Sequence, residues 1–229
     1  MLKTFLYNQI YMHIPDSWKF ARHRQLHRSA IAAWADSPIV LIHIPKAAGT
    51  SFNHALEMPD LGHLTYRQLH ALDPAFDERK RYIAVVRDPL DRLRSTYRYV
   101  RKSYKEKGRT SLVDIAICPS FEHFLDKYMT RKRVENHYFL RPQSHFVRGV
   151  PTGCLFLVHF ERLRVGVAQL GVEIGRELTL PRINNSVSAH REVAEVVDPA
   201  LVDRVEELYS EDRLLIDRLT FCNSALLVQ

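Results

Sequence analysis

The chain has 229 residues, 46% of them hydrophobic and 26% charged, with a formal net charge of +7. That length and balance suit one soluble α/β domain, while 8 glycines, 11 prolines and no internal repeat exclude a fibrous or low-complexity chain. The charge points to anionic ligands, and the widely spaced Cys118, Cys154 and Cys222 form neither a disulfide framework nor a metal-ligand pattern, so a reducing cytoplasm is expected.

The first ten residues are apolar but too short and too polar to span a bilayer. They lack a small-residue cleavage site, so no signal peptide is expected. Residues 19–28 are strongly basic. They suit peripheral contact of residues 1–28 with the inner membrane face or with an anionic glycan, although a solvated helix face is the favoured reading. Residues 1–37 are accordingly read as a helical, basic extension and residues 38–229 as a single domain. Residues 39–44 are a continuous apolar run apart from His43, as in a strand buried on both faces. His43 itself reads as a packed histidine with a bonded ring nitrogen.

Residues 52–58 continue a first helix, and a loop through Pro59, Asp60 and Gly62 leads to a short helix with Leu64, Leu69 and Leu72. Residues 82–86 form a second buried strand. It ends at Arg87-Asp88-Pro89, where Asp88 is a good N-cap and Pro89 suits the first helical position. Leu90, Leu93, Tyr97 and Val100 then keep one helical stripe. Residues 120–129 read as a helix capped by Ser120, residues 154–158 as a third strand, and Phe160 to Leu163 as the entry to another helix. Residues 199–219 read as one long last helix carrying Leu201, Val205, Leu208, Leu215 and Leu219. Such alternation predicts an α/β fold, a three-layer P-loop-like sandwich with a mainly parallel central sheet flanked by helices. Ligands of such sheets bind beyond the carboxyl ends of the strands, where Lys46 and Arg87 both fall.

Lys46-Ala47-Ala48-Gly49-Thr50-Ser51 places a cation, small residues and two hydroxyls between a strand and a helix start. Backbone N–H groups converge on an anion at such a turn, so the segment reads as a phosphate-binding loop. It is not the usual triphosphate loop, whose lysine follows the second glycine and whose hydroxyl binds magnesium. Arg87, directly after a strand, can fork onto a second phosphate. Ser95 lies about two helical turns further on and reaches that phosphate only along the helix flank. A surface ion pair of Arg87 with Asp88 or Asp91 is the competing reading. Two anion sites at two strand ends suit a nucleotide with phosphates at both ends of its ribose.

Segments 44–51 and 86–95 resemble the 5′-phosphosulfate loop and the 3′-phosphate segment of sulfotransferases that use 3′-phosphoadenosine 5′-phosphosulfate (PAPS). The chain looks closest to their carbohydrate type, found in bacteria and in the Golgi. Weaker matches are Gly62-His63-Leu64-Thr65, Arg141-Pro142-Gln143-Ser144, Phe160-Glu161-Arg162-Leu163 and the run from Leu180 to Ser186. Ala47-Ala48 departs from the family's frequent Thr-Gly or Ala-Gly, and Asn185 stands where a lysine is common.

The resemblance implies in-line transfer of a sulfuryl group from PAPS to a hydroxyl of a carbohydrate or glycolipid, leaving 3′-phosphoadenosine 5′-phosphate (PAP) and needing no metal. Lys46 would stabilise charge on the bridging oxygen, and the 47–51 backbone with the Thr50 and Ser51 hydroxyls would hold the 5′-phosphate. Arg87 and Ser95 would hold the 3′-phosphate. His63 is the expected general base, with His54, His70 and Glu57 as rivals. His54, Arg141 and Gln143 are candidates for contact with the acceptor. A turn in which the Arg141 and Gln143 side chains bond backbone carbonyls is an equal alternative. The basic run Arg92, Arg94, Arg98, Arg101, Lys102, Lys105, Lys107 and Arg109 is expected to be a solvated helix face. A nucleotide kinase or hydrolase and a non-catalytic module for anionic ligands are the rival functions. Nucleic-acid binding is not expected, since no aromatic–basic interleaving occurs.

Overall fold

The computed structural model describes residues 16–108, 110, 112–181 and 197–217. Two helices, α1 (Asp16–Leu26) and α2 (Arg28–Asp36), precede strand β1 (Ile39–Ile42). Helices α3 (Gly49–Ala55) and α4 (Tyr66–Leu72) follow, then β2 (Arg81–Val86) and the long α5 (Pro89–Lys107). Four short helices come next: α6 (Val113–Ala116), α7 (Phe121–Tyr128), α8 (Arg131–Asn136) and α9 (Gln143–Val147). Strand β3 (Leu155–His159) passes through a 3-10 turn (Phe160–Arg162) into α10 (Leu163–Glu173), and α11 (Pro199–Leu208) is followed by helical turns at 210–217.

The three strands form a parallel sheet in the order β1-β2-β3. Ile39 to Ile42 align with Arg81 to Ala84, and Tyr82 to Val86 with Leu155 to His159. Central β2 is buried from Tyr82 to Val86, so its apolar run is continuous rather than alternating. All three strands therefore end on the same side, and the loops after β1 and β2 lie next to each other.

Local signals set the element ends. Thr65 and Gln68 make a reciprocal capping box at the start of α4. Asp88 accepts the Asp91 N–H at the start of α5, Pro89 opens that helix, and Gly108 closes it with a left-handed turn. Ser120 caps α7.

One apolar cluster lies around the sheet and includes Trp34, Phe52, Phe76 and Phe146. A second joins Leu93, Tyr97 and Val100 of α5 to Phe121, Phe124 and Leu125 of α7 and Val205 of α11. Each large side chain buried this way contributes about 1.5–3 kcal/mol of transfer free energy. Trp34 is buried and donates its indole N–H to the Pro59 carbonyl at 2.8 Å, so α2 packs into the same core as the sheet.

Two expectations are corrected. The last helix is not continuous: it breaks at Tyr209, which is buried and donates its hydroxyl to the Leu140 carbonyl. Keeping that bond and that burial turns the chain, whereas Leu219 lies outside the described residues. The basic run of α5 is not wholly solvated. Arg92 is fully buried, and its guanidinium donates to the carbonyls of Phe139 (3.2 Å) and Arg141 (2.9 Å). Helices α6, α8 and α9 are too short for a 3.6-residue period to show. Among the described residues, no helix is long and apolar enough to cross a membrane.

Candidate active site

The turn between β1 and α3 is built on unusual backbone. Lys46 (φ 65°) and Ala48 (φ 62°) both adopt the left-handed conformation, which costs a side-chain-bearing residue roughly 1–2 kcal/mol. Ala48, as N-cap of α3, offers no side-chain acceptor to the first helical N–H groups. Gly49 is required for close approach: a Cβ there would lie 2.0 Å from the His43 ring. The Thr50 side chain is exposed, Ser51 is half-buried, and Ala47 is buried beneath the turn.

The Lys46 Nζ sits 4.1 Å above the centre of the Tyr99 ring. Burial, together with the neighbouring Arg87, pulls its ammonium down to about 8. Arg87 Nη1 donates to the Lys46 carbonyl at 3.4 Å, and the guanidinium stacks 4.1 Å over Phe160. Its Nε is buried without a hydrogen-bond partner, and burial lowers the whole group from its ordinary value.

The expected rival, an ion pair of Arg87 with Asp88 or Asp91, is not formed. Asp88 pairs with Arg213 at 3.2 Å and Asp91 with Arg94 at 3.0 Å, while the nearby Glu161 carboxylate faces His159 at 2.5 Å. Two partly buried cations therefore stand side by side, with the adjacent carboxylates engaged elsewhere. Such a pair attracts an anion of high charge density. Ser95 lies on α5 four residues before Tyr99, one turn along the same flank.

His63 enters from the loop before α4. Its Nδ1 lies 3.0 Å from the His43 carbonyl oxygen, an acceptor only, so Nδ1 carries the proton and Nε2 keeps its lone pair. The ring packs edge-on against His43 (4.4 Å between centres) and stacks on Tyr138 (5.3 Å). Burial, reinforced by His43, pushes the imidazole down to about 4, and the positive charge of Lys46 acts in the same direction. His63 is thus neutral at pH 7.

The remaining candidates separate. His54 is exposed on α3. His70, exposed on α4, neighbours Tyr66, whose ring packs on Tyr82 near the start of β2, away from the strand ends that carry Lys46 and Arg87. Glu57 is exposed and pairs with Arg176 at 3.2 Å. Gln143 is corrected: it is fully buried and does not face an acceptor. Its side-chain oxygen accepts the Arg87 N–H (2.9 Å) and its amide donates to the Arg87 carbonyl (2.7 Å), so it clasps the backbone of Arg87. Arg141 donates to the Glu135 carbonyl at 3.3 Å, so both side chains of this turn bond backbone carbonyls. The segment 182–186 lies outside the described residues.

Sequence reasoning overlooked Tyr99, Tyr138 and Asp60. Only Tyr99 carries a signal, its four-residue spacing from Ser95. Asp60 is a polar loop residue like many others, and what it touches emerges only from the fold. A surface cavity of about 470 Å³ opens at the other end of the strands, lined by Pro38, Ile39, Arg81 and Glu173 among others, and is remote from this chemistry. No group of His, Cys, Asp and Glu among the described residues is arranged to hold a metal ion.

Comparison with curated proteins and with solved structures returned no match. The sequence model of the sulfotransferase family matches residues 34–216, which span the sheet, the lysine turn, Arg87 and His63. With that match over most of its length, and a parallel sheet presenting a lysine turn and an arginine at adjacent strand ends, the chain belongs to the sulfotransferase family and is an enzyme of sulfuryl transfer.

Proposed function

We propose that the sulfuryl donor is PAPS and that the acceptor is a hydroxyl of a carbohydrate or glycolipid. The observation that carries the donor reading is the Lys46–Arg87 pair: two adjacent cations on neighbouring strand ends, one with an unpartnered Nε. A single phosphate needs only one of them, whereas a nucleotide phosphorylated at the 3′ and 5′ positions uses both. The unpaired N–H groups at the start of α3 and the Thr50 and Ser51 hydroxyls hold the 5′-phosphate. Arg87 and Ser95 take the 3′-phosphate.

Charge accumulates on the oxygen bridging sulfur and the 5′-phosphate as that S–O bond breaks. Lys46, protonated at neutral pH, neutralises it more strongly in the transition state than in the ground state. The acceptor oxygen forms the new bond to sulfur and gives up its proton to Nε2 of neutral His63. The anionic donor beside the ring favours the resulting imidazolium. Burial keeps the ring unprotonated in the empty site, which leaves the Nε2 lone pair open.

The carbohydrate acceptor rests on the resemblance to the carbohydrate-directed type. Incubation with donor labelled in its sulfuryl group, against a panel of glycans and glycolipids, tests both halves. Label should appear in a saccharide product, and Lys46→Ala should lower its rate by about 10²–10³-fold. Label released only as inorganic sulfate with every acceptor would remove the carbohydrate reading, and no consumption of donor would remove the donor reading.

A further inference from the structure

Asp60 stands in the loop between α3 and α4, outside every role assigned so far. One of its oxygens, Oδ1, lies 2.9 Å from Nδ1 of His43 and also accepts the Gly62 N–H at 2.9 Å. Gly62 is held at φ +78°, a conformation that costs glycine nothing. His43 is buried, and its ring fills the space a Cβ of Gly49 would need. Its carbonyl receives Nδ1–H of His63. One carboxylate oxygen thus touches both segments: the strand end that carries the lysine turn, through His43, and the loop that carries the base, through Gly62.

From this geometry we infer that Asp60 is a positioning residue for sulfuryl transfer, locking the His63 loop onto the phosphate loop so that His63 keeps its proton on Nδ1 and presents a bare Nε2. The inference rests on the reading of His63 as the base. Two consequences follow from the bonding. His43 is oriented with Nδ1–H toward Asp60, which fixes the ring against Gly49. The loop turns one residue before His63 through the Gly62 N–H bond, and the same carboxylate ties that turn to His43, whose carbonyl holds the imidazole. Hydrogen bonds to an ionised carboxylate are strong enough to impose such an arrangement, and they hold the Asp60 carboxyl well below the usual carboxylate range. Asp60 never touches the reacting atoms and acts through His43 and Gly62 alone.

Imidazole nitrogens give distinct signals in long-range proton–nitrogen correlation spectra, so the tautomer can be read on the intact protein. In the wild type, His63 should show a protonated Nδ1 and an unprotonated Nε2; the opposite tautomer overturns the inference without any variant. Asp60→Ala should erase that pure signature and lower turnover of PAPS at least tenfold, with the affinity for PAP changed less than threefold. Asp60→Asn keeps an oxygen able to accept both N–H groups, and should restore the signature and most of the rate. If Asp60→Ala leaves the His63 signature intact, Asp60 is only a structural residue and the inference is wrong. If Asp60→Ala fails to fold, Asp60→Asn decides alone: a lost signature in a folded protein contradicts positioning by hydrogen bonds. Absence of PAP binding by the wild type would instead sink the donor reading, whatever the tautomer.

Discussion

At the scale of single residues, the site concentrates features that cost stability and serve chemistry. Lys46 and Ala48 occupy left-handed backbone without being glycine. Sulfotransferases that resemble this chain often carry glycine at the position of Ala48, and the conformation explains why. Ala48→Gly should therefore stabilise the protein, by roughly 0.5–1 kcal/mol after the greater freedom of glycine in the unfolded chain is subtracted, and thermal unfolding checks it. Lys46, depressed to about 8 by burial and by Arg87, loses its proton as pH rises through that value in the free enzyme. The ratio kcat/KM should fall on the alkaline side of pH 8. Lys46→Arg, whose guanidinium keeps its charge, should shift that limb beyond the measurable range even if it is slower at every pH.

At the scale of elements, the placement of Arg87 depends on how β2, α9 and the final helical turns are tied. Asp212 is fully buried and accepts the N–H groups of Gln143 (2.9 Å) and Ser144 (2.8 Å) at the start of α9. Gln143 then clasps both backbone polar groups of Arg87. Asp212→Ala leaves those donors unsatisfied and should cost about 3 kcal/mol, visible as a lower denaturation midpoint in urea. Because Gln143 positions Arg87 and does not meet an acceptor, Gln143→Ala should weaken PAP binding as well as stability. Strand and helix positions were legible in sequence because their signals are local: continuous apolar runs for β1 and β2, Asp88-Pro89 for the start of α5, Ser120 for α7. The break at Tyr209, the burial of Arg92 and the clasp by Gln143 were not. Each joins residues tens of positions apart, and a buried arginine has the same letter as a solvated one.

At the scale of the whole molecule, acid should act through the buried histidines. Burial holds His63 and His137 down to about 4, whereas in the unfolded chain each titrates near 6.5. Between these values the unfolded state binds more protons, so stability falls as pH drops from about 6.5 to 4. Unfolding midpoints measured from pH 7.5 to 4.5 should decline over that window. The double variant His63→Gln and His137→Gln should flatten the decline, although its stability at pH 7 will differ. The placement of two cations at adjacent strand ends was legible because Arg87 directly follows β2 and Lys46 closely follows β1; the absence of an ion pair to Arg87 was not, since it depends on Arg94 and Arg213 pairing with Asp91 and Asp88. The most direct test of the account compares thermal stabilisation by PAP, by adenosine 5′-monophosphate and by ATP with magnesium. PAP at 100 times its Kd should stabilise the protein by about 2.7 kcal/mol without added metal. It should surpass the monophosphate, and Arg87→Ala should abolish that advantage. Stabilisation by ATP with magnesium alone, or an equal response to PAP and the monophosphate, would contradict a site built for a nucleotide phosphorylated at both ends of its ribose.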